Sequence, residues 1–391
     1  MKGILKIIFF TYVVTAVFLY GNPDLTWIPQ YIGVLLSLTC LVDIFLIRLE
    51  NIRATYIPLN ILFSLSLLSG LLVNWNWGFF KTILQMLFLA IFSLHCARRF
   101  ETISILFYSI IFGNILLIIE RVLTLGSWSS GFGLIRYEGF AGNPNDYSFM
   151  LCLGILSVVY LLFFELSVRR LIIVHHFLLL LFLIELVFYA GSRAIIFGTV
   201  FILIFYGYYL FKSSGVFGKL AILGVVIAGS YSVSTNLDKI QVASRIVSAV
   251  QTSSSQSGET DFSTSSRIAF FKEGLRLWTK RPVIGYGTDM FRDVNVVEKG
   301  YYSHNNYVEL LANNGILGFF LYYSFHLIFA RLIWISDFSM KVKRYYYLVL
   351  FVLLTADIAM VTYYHKIYIL FLMYIIGTVN NNTKNTFKEL V

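Results

Sequence analysis

Charged side chains are scarce in this sequence. Asp, Glu, Lys and Arg make up 13% of the 391 residues, whereas 58% of the residues are hydrophobic. A soluble domain carries roughly a quarter charged residues, so this chain has too few polar side chains to cover a soluble core of its size. The scarcity excludes an ordinary soluble protein and predicts a protein that is embedded in a membrane.

Cysteines, basic clusters and familiar catalytic motifs are also few or missing. The cysteines Cys40, Cys96 and Cys152 lie in apolar stretches without a CxxC spacing, which supports neither a disulfide framework nor a zinc site. The Lys and Arg residues are dispersed, so no nucleic-acid partner is expected, and the net charge of +10 fits contact with anionic lipid. The absence of P-loop, GxSxG, HExxH and DxD patterns argues against an NTP-driven pump, a serine hydrolase, a zinc protease or a metal-dependent glycosyltransferase.

Long apolar runs occupy most of the chain. A transmembrane helix needs about 20 apolar residues, and the sequence offers about twelve such spans, the first of which is predicted to be retained rather than cleaved as a signal peptide. The fold class predicted is all-α, a polytopic transmembrane helical bundle. The spans are expected near residues 3–21, 28–47, 56–73, 79–97, 102–119, 147–165, 171–190, 194–211, 217–235, 315–334, 345–362 and 366–379.

The basic residues predict the orientation of these spans. With a cytoplasmic N-terminus, sixteen of the 30 Lys and Arg residues fall in inner segments and five in short outer segments, and the other nine fall in one long outer segment. Positive charge concentrates on the cytoplasmic side of membrane proteins. Both termini are therefore predicted to be cytoplasmic.

Three regions follow from this topology. Spans 1–9 with short loops occupy residues 1–235, a long extracytoplasmic loop occupies 236–314, and three further spans with a tail occupy 315–391. The loop contains amphipathic segments, of which SRIAFFKEGLRLWTKRP carries apolar residues at helical spacing. Such a helix would lie on the bilayer surface or cap a cavity. The apolar positions in question are Ile268, Phe271, Leu275 and Trp278.

Three outer arginines are candidates for binding an anion. Arg193 lies in a hairpin so short that its guanidinium must lie at or just below the outer lipid headgroups. It either binds a functional anion, contacts lipid phosphate or forms an ion pair with Glu185. Arg136 lies in a glycine-rich segment that suits either an anion pocket or a re-entrant loop, and Asp146 after it reads as a helix N-cap. Arg267 lies at the start of a predicted helix, where its positive charge is unfavourable beside the positive end of the helix macrodipole. Either an anion compensates this charge or the side chain is simply solvated.

His304 is the candidate acid–base residue. It lies in Tyr302-Ser303-His304-Asn305-Asn306-Tyr307, before the Gly-x-x-Gly that opens the next span. Histidine takes up a proton near neutral pH, as activation of an acceptor hydroxyl requires. The alternative is a structural histidine.

Four segments in this order resemble the bacterial O-antigen polymerase and O-antigen ligase superfamily. They are RYEGFAGNPNDYS at 136–148, GSRA at 191–194, SRIAFFKEGLRLWTKRPVIGYG at 266–287 and HNNYVELLANNGILG at 304–318. The resemblance covers roughly residues 130–335. GSRA alone is a weak signal, whereas the His-Asn…Gly-x-x-Gly segment combined with the long loop is fairly specific.

The resemblance implies a GT-C-like membrane glycosyltransferase at the outer face of a bacterial plasma membrane. Its donor would be an oligosaccharide on undecaprenyl diphosphate, which is already activated, so neither a metal nor another cofactor is expected. Arg136, Arg193 and Arg267 would hold the diphosphate, and His304 would orient or deprotonate the attacking hydroxyl. Cationic guanidinium groups suit phosphate oxygens, and displacement opposite the diphosphate would invert the anomeric centre.

The first choice is a polymerase that joins lipid-linked repeat units into O-antigen or capsular polysaccharide. The runner-up is a ligase that transfers the glycan to lipid A–core. A transporter or flippase for the same lipid-linked sugars is the alternative of another class, and it would call for midplane charges and repeat symmetry. A chain-length regulator and the flippase of the same pathway are the possible protein partners, besides the bilayer.

Overall fold

The computed structural model describes residues 1–46, 73, 77–126, 137–190, 192–216, 218–220 and 262–389. This described part is helical and contains no strand, which confirms the all-α class. The helices, in chain order, are α1 (Lys2–Phe18), α2 (Trp27–Leu46), α3 (Trp77–Phe100), α4 (Ser104–Leu125), α5 (Pro144–Phe164), α6 (Arg169–Glu185, continued by a π-helical turn at Leu186–Ala190), α7 (Arg193–Ser213), α8 (Phe262–Lys280), α9 (Phe291–Val294), α10 (Asn306–Ile335), α11 (Met340–Ala359) and α12 (Lys366–Glu389).

Seven helices among the described residues are long and apolar enough to cross a membrane. They are Trp27–Leu46, Phe79–Phe100, Ser104–Leu125, Pro144–Phe164, Arg169–Ala190, Arg193–Ser213 and Asn306–Ile335. The predicted count of about twelve spans is not confirmed. The predicted spans at 56–73 and 217–235 fall almost wholly outside the described residues.

Two local predictions were wrong. Arg121, assigned to a short outer loop, is fully buried inside α4, because this helix continues to Leu125. The N-cap of α5 is Asn143 rather than Asp146, since the Asn143 side chain accepts hydrogen bonds from the backbone N–H groups of Asn145 and Asp146. Proline follows at the first helical position, where its missing N–H costs nothing.

Helices α5 and α12 form the centre of the bundle. From Tyr147 to Val159 and from Ile367 to Ile376, their side chains are almost completely buried. A helix that is apolar on all sides is stable only when other helices surround it. Both central helices begin at the same end of the bundle, so Asp146 and His365 meet there, with 3.4 Å between Oδ1 and Nε2.

We call this end the site end; it holds loops 19–26, 139–143, 281–305 and 360–365. The backbone N–H of Gly21 donates to the Phe140 carbonyl, and the Tyr20 ring stacks on His365 with 4.3 Å between centroids. The opposite end joins α4 to α5 through a hydrogen bond from Ser104 to Glu165. That end collects basic residues of the described part of the chain, including Lys2, Lys6, Arg98, Arg99, Arg169, Arg170, Lys212, Arg331, Lys341, Lys343 and Arg344.

A kink at Gly315 shapes the start of α10. The helix begins at Asn306, nine positions before the predicted span, and Gly315 interrupts it with φ 63° and ψ −169°. The interruption frees backbone groups on both sides, and residues 282–287 pair with them. Tyr286 and Gly287 donate to the carbonyls of Ala312 and Asn313, while the N–H groups of residues 316 and 317 donate to the carbonyls of residues 282 and 283.

Replacing Gly315 with alanine is expected to destabilise the protein by about 1–3 kcal/mol or more, because only glycine adopts this backbone conformation without strain. A β-carbon would also overlap the backbone of Val283. Thermal unfolding of the purified protein in detergent measures the effect. Gly207→Ala in α7, where a β-carbon meets open space, is the matched control and should not lower the unfolding temperature, because alanine favours a helix interior over glycine. Equal unfolding temperatures for the two variants would contradict the proposed strain.

A buried ion pair links α4 to α6. The Arg121 Nη2 lies 2.5 Å from Glu185 Oε1, both side chains are fully buried, and Tyr147 donates to the other carboxylate oxygen at 3.1 Å. The guanidinium also lies 3.9 Å from the centre of the Tyr189 ring. Glu185, considered as a partner for Arg193 from the sequence, therefore binds Arg121.

The variant Arg121→Leu is expected to lower stability by about 3–5 kcal/mol, because it leaves the Glu185 charge buried without its partner. The double variant Arg121→Leu/Glu185→Leu removes both charges and should recover most of the loss. Thermal unfolding in detergent compares the two. A double variant that is as unstable as the single one would show that the cost comes from packing rather than from the unpaired carboxylate.

Candidate functional site

His304 occupies a strained turn immediately before α10. Its φ of 56° lies in the left-handed region, which few residues other than glycine adopt. Glu309, one turn into α10, holds this turn: its Oε2 accepts hydrogen bonds from the backbone N–H of Ser303 at 2.7 Å and from the Ser303 hydroxyl at 2.9 Å. Such strain persists only where surrounding contacts enforce it, as at many functional sites.

The two asparagines after His304 fix the turn to the rest of the protein. Asn305 caps α10 by accepting a hydrogen bond from the N–H of Val308. Asn306 is fully buried, and its Oδ1 accepts from the N–H groups of Thr362 and Tyr363, in the loop that precedes α12. The His-Asn-Asn sequence therefore combines one half-buried imidazole with two structural anchors.

Tyr302 is the residue around which the charged groups of the site gather. Its ring centroid lies 4.1 Å from that of His304, and Arg292 lies 5.4 Å from its ring centre. Burial raises the pKa of Tyr302 to about 12, with further raising by the charges of Asp146 and Glu309 and lowering by Arg292 and Arg267. The phenol is thus a neutral hydrogen-bond donor at neutral pH.

Arg292, which lies in none of the sequence motifs, is a central cation of this cluster. Its Nη2 donates to the Tyr364 hydroxyl at 2.9 Å, and its Nε lies 3.1 Å from Asp289 Oδ1. Burial lowers the pKa of Arg292, but Tyr364 and Asp289 outweigh burial and the pKa lies above its ordinary value. Burial raises the pKa of Asp289, and the charge of Arg292 opposes that rise. Arg292 therefore keeps its charge throughout the physiological range.

Helix α8 brings Arg267 to the cluster. The helix predicted from SRIAFFKEGLRLWTKRP is present, and it packs on the first half of α10. Its buried face consists of Phe270 and Leu277, whereas Ile268 and Phe271 of the predicted apolar stripe are exposed. Two apolar faces on one helix fit contact with α10 on one side and with the membrane interface on the other.

The neighbours of Phe270 connect α8 to the histidine. Its ring centroid lies 6.4 Å from the His304 ring, and Arg267 is one turn before it on the same helix. The charge of Arg267 acts on Tyr302. The structure thus brings Arg267 and His304 together around one tyrosine.

Of the other two predicted arginines, the structure describes Arg193 but not Arg136. Arg193 is the first residue of α7, at the site end, and the N–H of the preceding Ser192 donates to the Ser148 hydroxyl in α5 at 3.3 Å. Ser148 lies two positions after Asp146, whose charge acts on Tyr302. Arg136 lies outside the described residues.

The arrangement can bind an anion and move a proton. Arginines lie beside a tyrosine hydroxyl and a histidine, and several of the side chains are half-buried, which strengthens their electrostatic effect relative to bulk water. Within the described ranges, no group of three His, Cys, Asp or Glu residues could hold a metal ion.

A family model matches the part of the chain that contains Arg193, Arg267 and His304. Residues 176–323 match the family model of O-antigen ligase. The match to O-antigen ligase extends from α6 into α10 and includes Arg193, Arg267 and His304, but not Arg136. Over this region it confirms the resemblance to the O-antigen polymerase and ligase superfamily. No curated protein matches the chain.

Proposed function

We propose that the protein is a polysaccharide polymerase that joins undecaprenyl-diphosphate-linked oligosaccharide repeat units by metal-independent, inverting glycosyl transfer. The observation that carries this proposal is the cluster around Tyr302, where Arg267, Arg292 and His304 meet at one end of a helical bundle. The O-antigen ligase match supports an enzyme of the ligase and polymerase type that acts on lipid-linked glycans.

Each residue has a distinct task in the proposed reaction. His304 accepts the proton of the acceptor hydroxyl as that oxygen forms a bond to the anomeric carbon of the donor. The bond from this carbon to the phosphate oxygen breaks, and the lipid diphosphate leaves with the electron pair. Arg136, Arg193 and Arg267 hold the diphosphate and stabilise the charge that develops on it. The position of Arg292 beside Tyr302 adds a fourth cation.

The charge distribution supports an extracytoplasmic site in a bacterial plasma membrane. Basic residues of the described chain collect at the end opposite to the site, and this end is cytoplasmic under the positive-inside rule. Both termini then lie in the cytoplasm, and the loop at 236–314, between spans within 1–235 and 315–391, carries part of the catalytic machinery. The chain-length regulator and the flippase of the same pathway would meet the protein in this membrane.

Ligation to lipid A–core is the second candidate, because the matching family model describes an O-antigen ligase. The two reactions share a donor and differ in the acceptor. A strain that lacks the gene should accumulate lipid-linked single repeat units if the protein is a polymerase, and long undecaprenyl-linked chains if it is a ligase.

Reaction of the purified protein with a defined undecaprenyl-diphosphate oligosaccharide tests the activity directly. Products of two or more repeat units on one carrier, formed in the presence of a chelator, are the expected result. Absence of chain growth with this substrate, together with transfer to lipid A–core, would replace the polymerase by the ligase.

A further inference from the structure

A cavity of about 690 Å³ opens between α1, α2 and α3 at the site end. Of the residues that line it, Tyr12, Ser37 and Phe92 lie farthest from the site end along α1, α2 and α3, and they form its deep part. Aromatic and aliphatic side chains dominate the lining. A site of this shape and composition suits a hydrocarbon chain.

The mouth of the cavity carries a positive charge. Lys366 is the only charged residue among the described residues that line it, and no carboxylate faces the cavity there. Lys366 also begins α12, where the positive end of the helix macrodipole favours an anion. A cation at the end of an apolar cleft is the pattern expected for a lipid with a phosphate headgroup.

The cavity borders the candidate site at Tyr364. Tyr364 lines the cavity and accepts a hydrogen bond from Arg292, the arginine that lies over the Tyr302 ring. Tyr20 also lines the cavity, and its ring stacks on His365. This position beside the site suits a lipid whose headgroup carries a sugar to be transferred there, rather than an ordinary membrane phospholipid.

The cavity is separate from the arginines assigned to the donor diphosphate. Arg193 belongs to α7, which packs on α5 and α11, and Arg267 belongs to α8, which packs on α10. The cavity lies among α1, α2 and α3. A polymerase handles two lipid-linked glycans at once, so its proposed activity requires a second place for a carrier lipid.

We propose that this cavity binds the isoprenoid chain of the second lipid-linked glycan, the one that supplies the attacking hydroxyl, with its phosphate at Lys366. The assignment to this glycan rests on the proposed polymerase function. The binding of an isoprenoid phosphate is a property of the cavity itself and is tested without catalysis.

Photo-crosslinking in phosphatidylcholine nanodiscs tests the binding. The probe is a polyprenyl monophosphate with a diazirine in its chain, and mass spectrometry locates the adducts. Adducts are expected within residues 27–37 and 85–92. Unlabelled undecaprenyl phosphate should displace the probe, and the same concentration of phosphatidylglycerol should not.

Substitutions in and beside the cavity test whether the probe binds there. Lys366→Gln removes the charged hydrogen-bond donor and should weaken probe binding about tenfold, while Lys366→Arg should retain it. Ser37→Trp fills the deep part and should abolish the adducts there. Leu38→Trp, at a neighbouring side chain that is 55% exposed outside the cavity, should crosslink as the wild type does.

Three results would overturn the proposal: adducts outside the cavity, unchanged crosslinking in Ser37→Trp and Lys366→Gln, or equal displacement by phosphatidylglycerol. His304→Asn separates this proposal from the polymerase assignment. This variant should crosslink normally and form no polymer. A wild-type protein that crosslinks but forms no polymer would refute the polymerase function alone, whereas a protein that polymerises without crosslinking would refute the cavity assignment alone.

Discussion

Replacement of His304 by alanine is expected to lower the rate of polymer formation by about 10²–10⁴-fold, which is the usual contribution of a positioned proton acceptor. The variant keeps the arginines and the cavity, so binding of the lipid-linked substrate should change little. Single-turnover reaction of the purified protein with the defined substrate measures the rate, and product length reports chain growth.

Because the His304 backbone is strained, a second variant is needed to separate loss of folding from loss of activity. Its φ of 56° strains most residues, and asparagine tolerates this conformation better than alanine does. His304→Asn should therefore fold as the wild type does and still lose activity, because an amide does not accept the proton. His176→Ala, at an exposed histidine of α6, is the control and should remain active. Full activity in well-folded His304→Asn would remove the histidine from the proposed reaction.

The second large effect is expected at Arg267. Arg267→Ala should lower the rate by about 10²–10³-fold, as loss of one electrostatic stabiliser commonly does. Arg267→Lys keeps the charge but loses the planar pair of donors that matches phosphate oxygens, so polymer formation should also fall sharply. The same reasoning applies to Arg193→Lys and Arg136→Lys.

The same helix offers a matched control. Arg276 lies on α8 and forms an ion pair with Glu273 at 2.5 Å, with its side chain 41% exposed. Arg276→Lys should leave chain synthesis near the wild-type rate. If Lys variants at positions 136, 193 and 267 also synthesise normal chains at normal expression, these arginines do not bind the diphosphate as proposed.

Local patterns in the sequence were sufficient to predict many of the helices. Apolar runs located α2, α6 and α7 because a membrane span is a property of consecutive residues. Helical spacing likewise located α8. Spacing could not identify the face of α8 that contacts α10, since both of its faces carry apolar residues.

The candidate site was predictable only where a residue stood out locally. His304 and Arg267 lie in motifs, and the structure groups both around Tyr302. Arg292 lies in no motif; Asp289 is three positions away, but the other partner, Tyr364, is 72 positions away in the chain and could not be paired with Arg292 from the sequence. Glu309 was hidden for a similar reason: within an apolar helix, nothing marks it as the acceptor that holds the turn before that helix.

The backbone pairing across the Gly315 kink limits the separation of α8 from α10. Residues 282–287 connect to both halves of α10, so α8 cannot swing away without leaving several amide groups unpaired. Arg267 and His304 therefore move as parts of one rigid unit. The proposed transfer then takes place without a separation of α8 from α10.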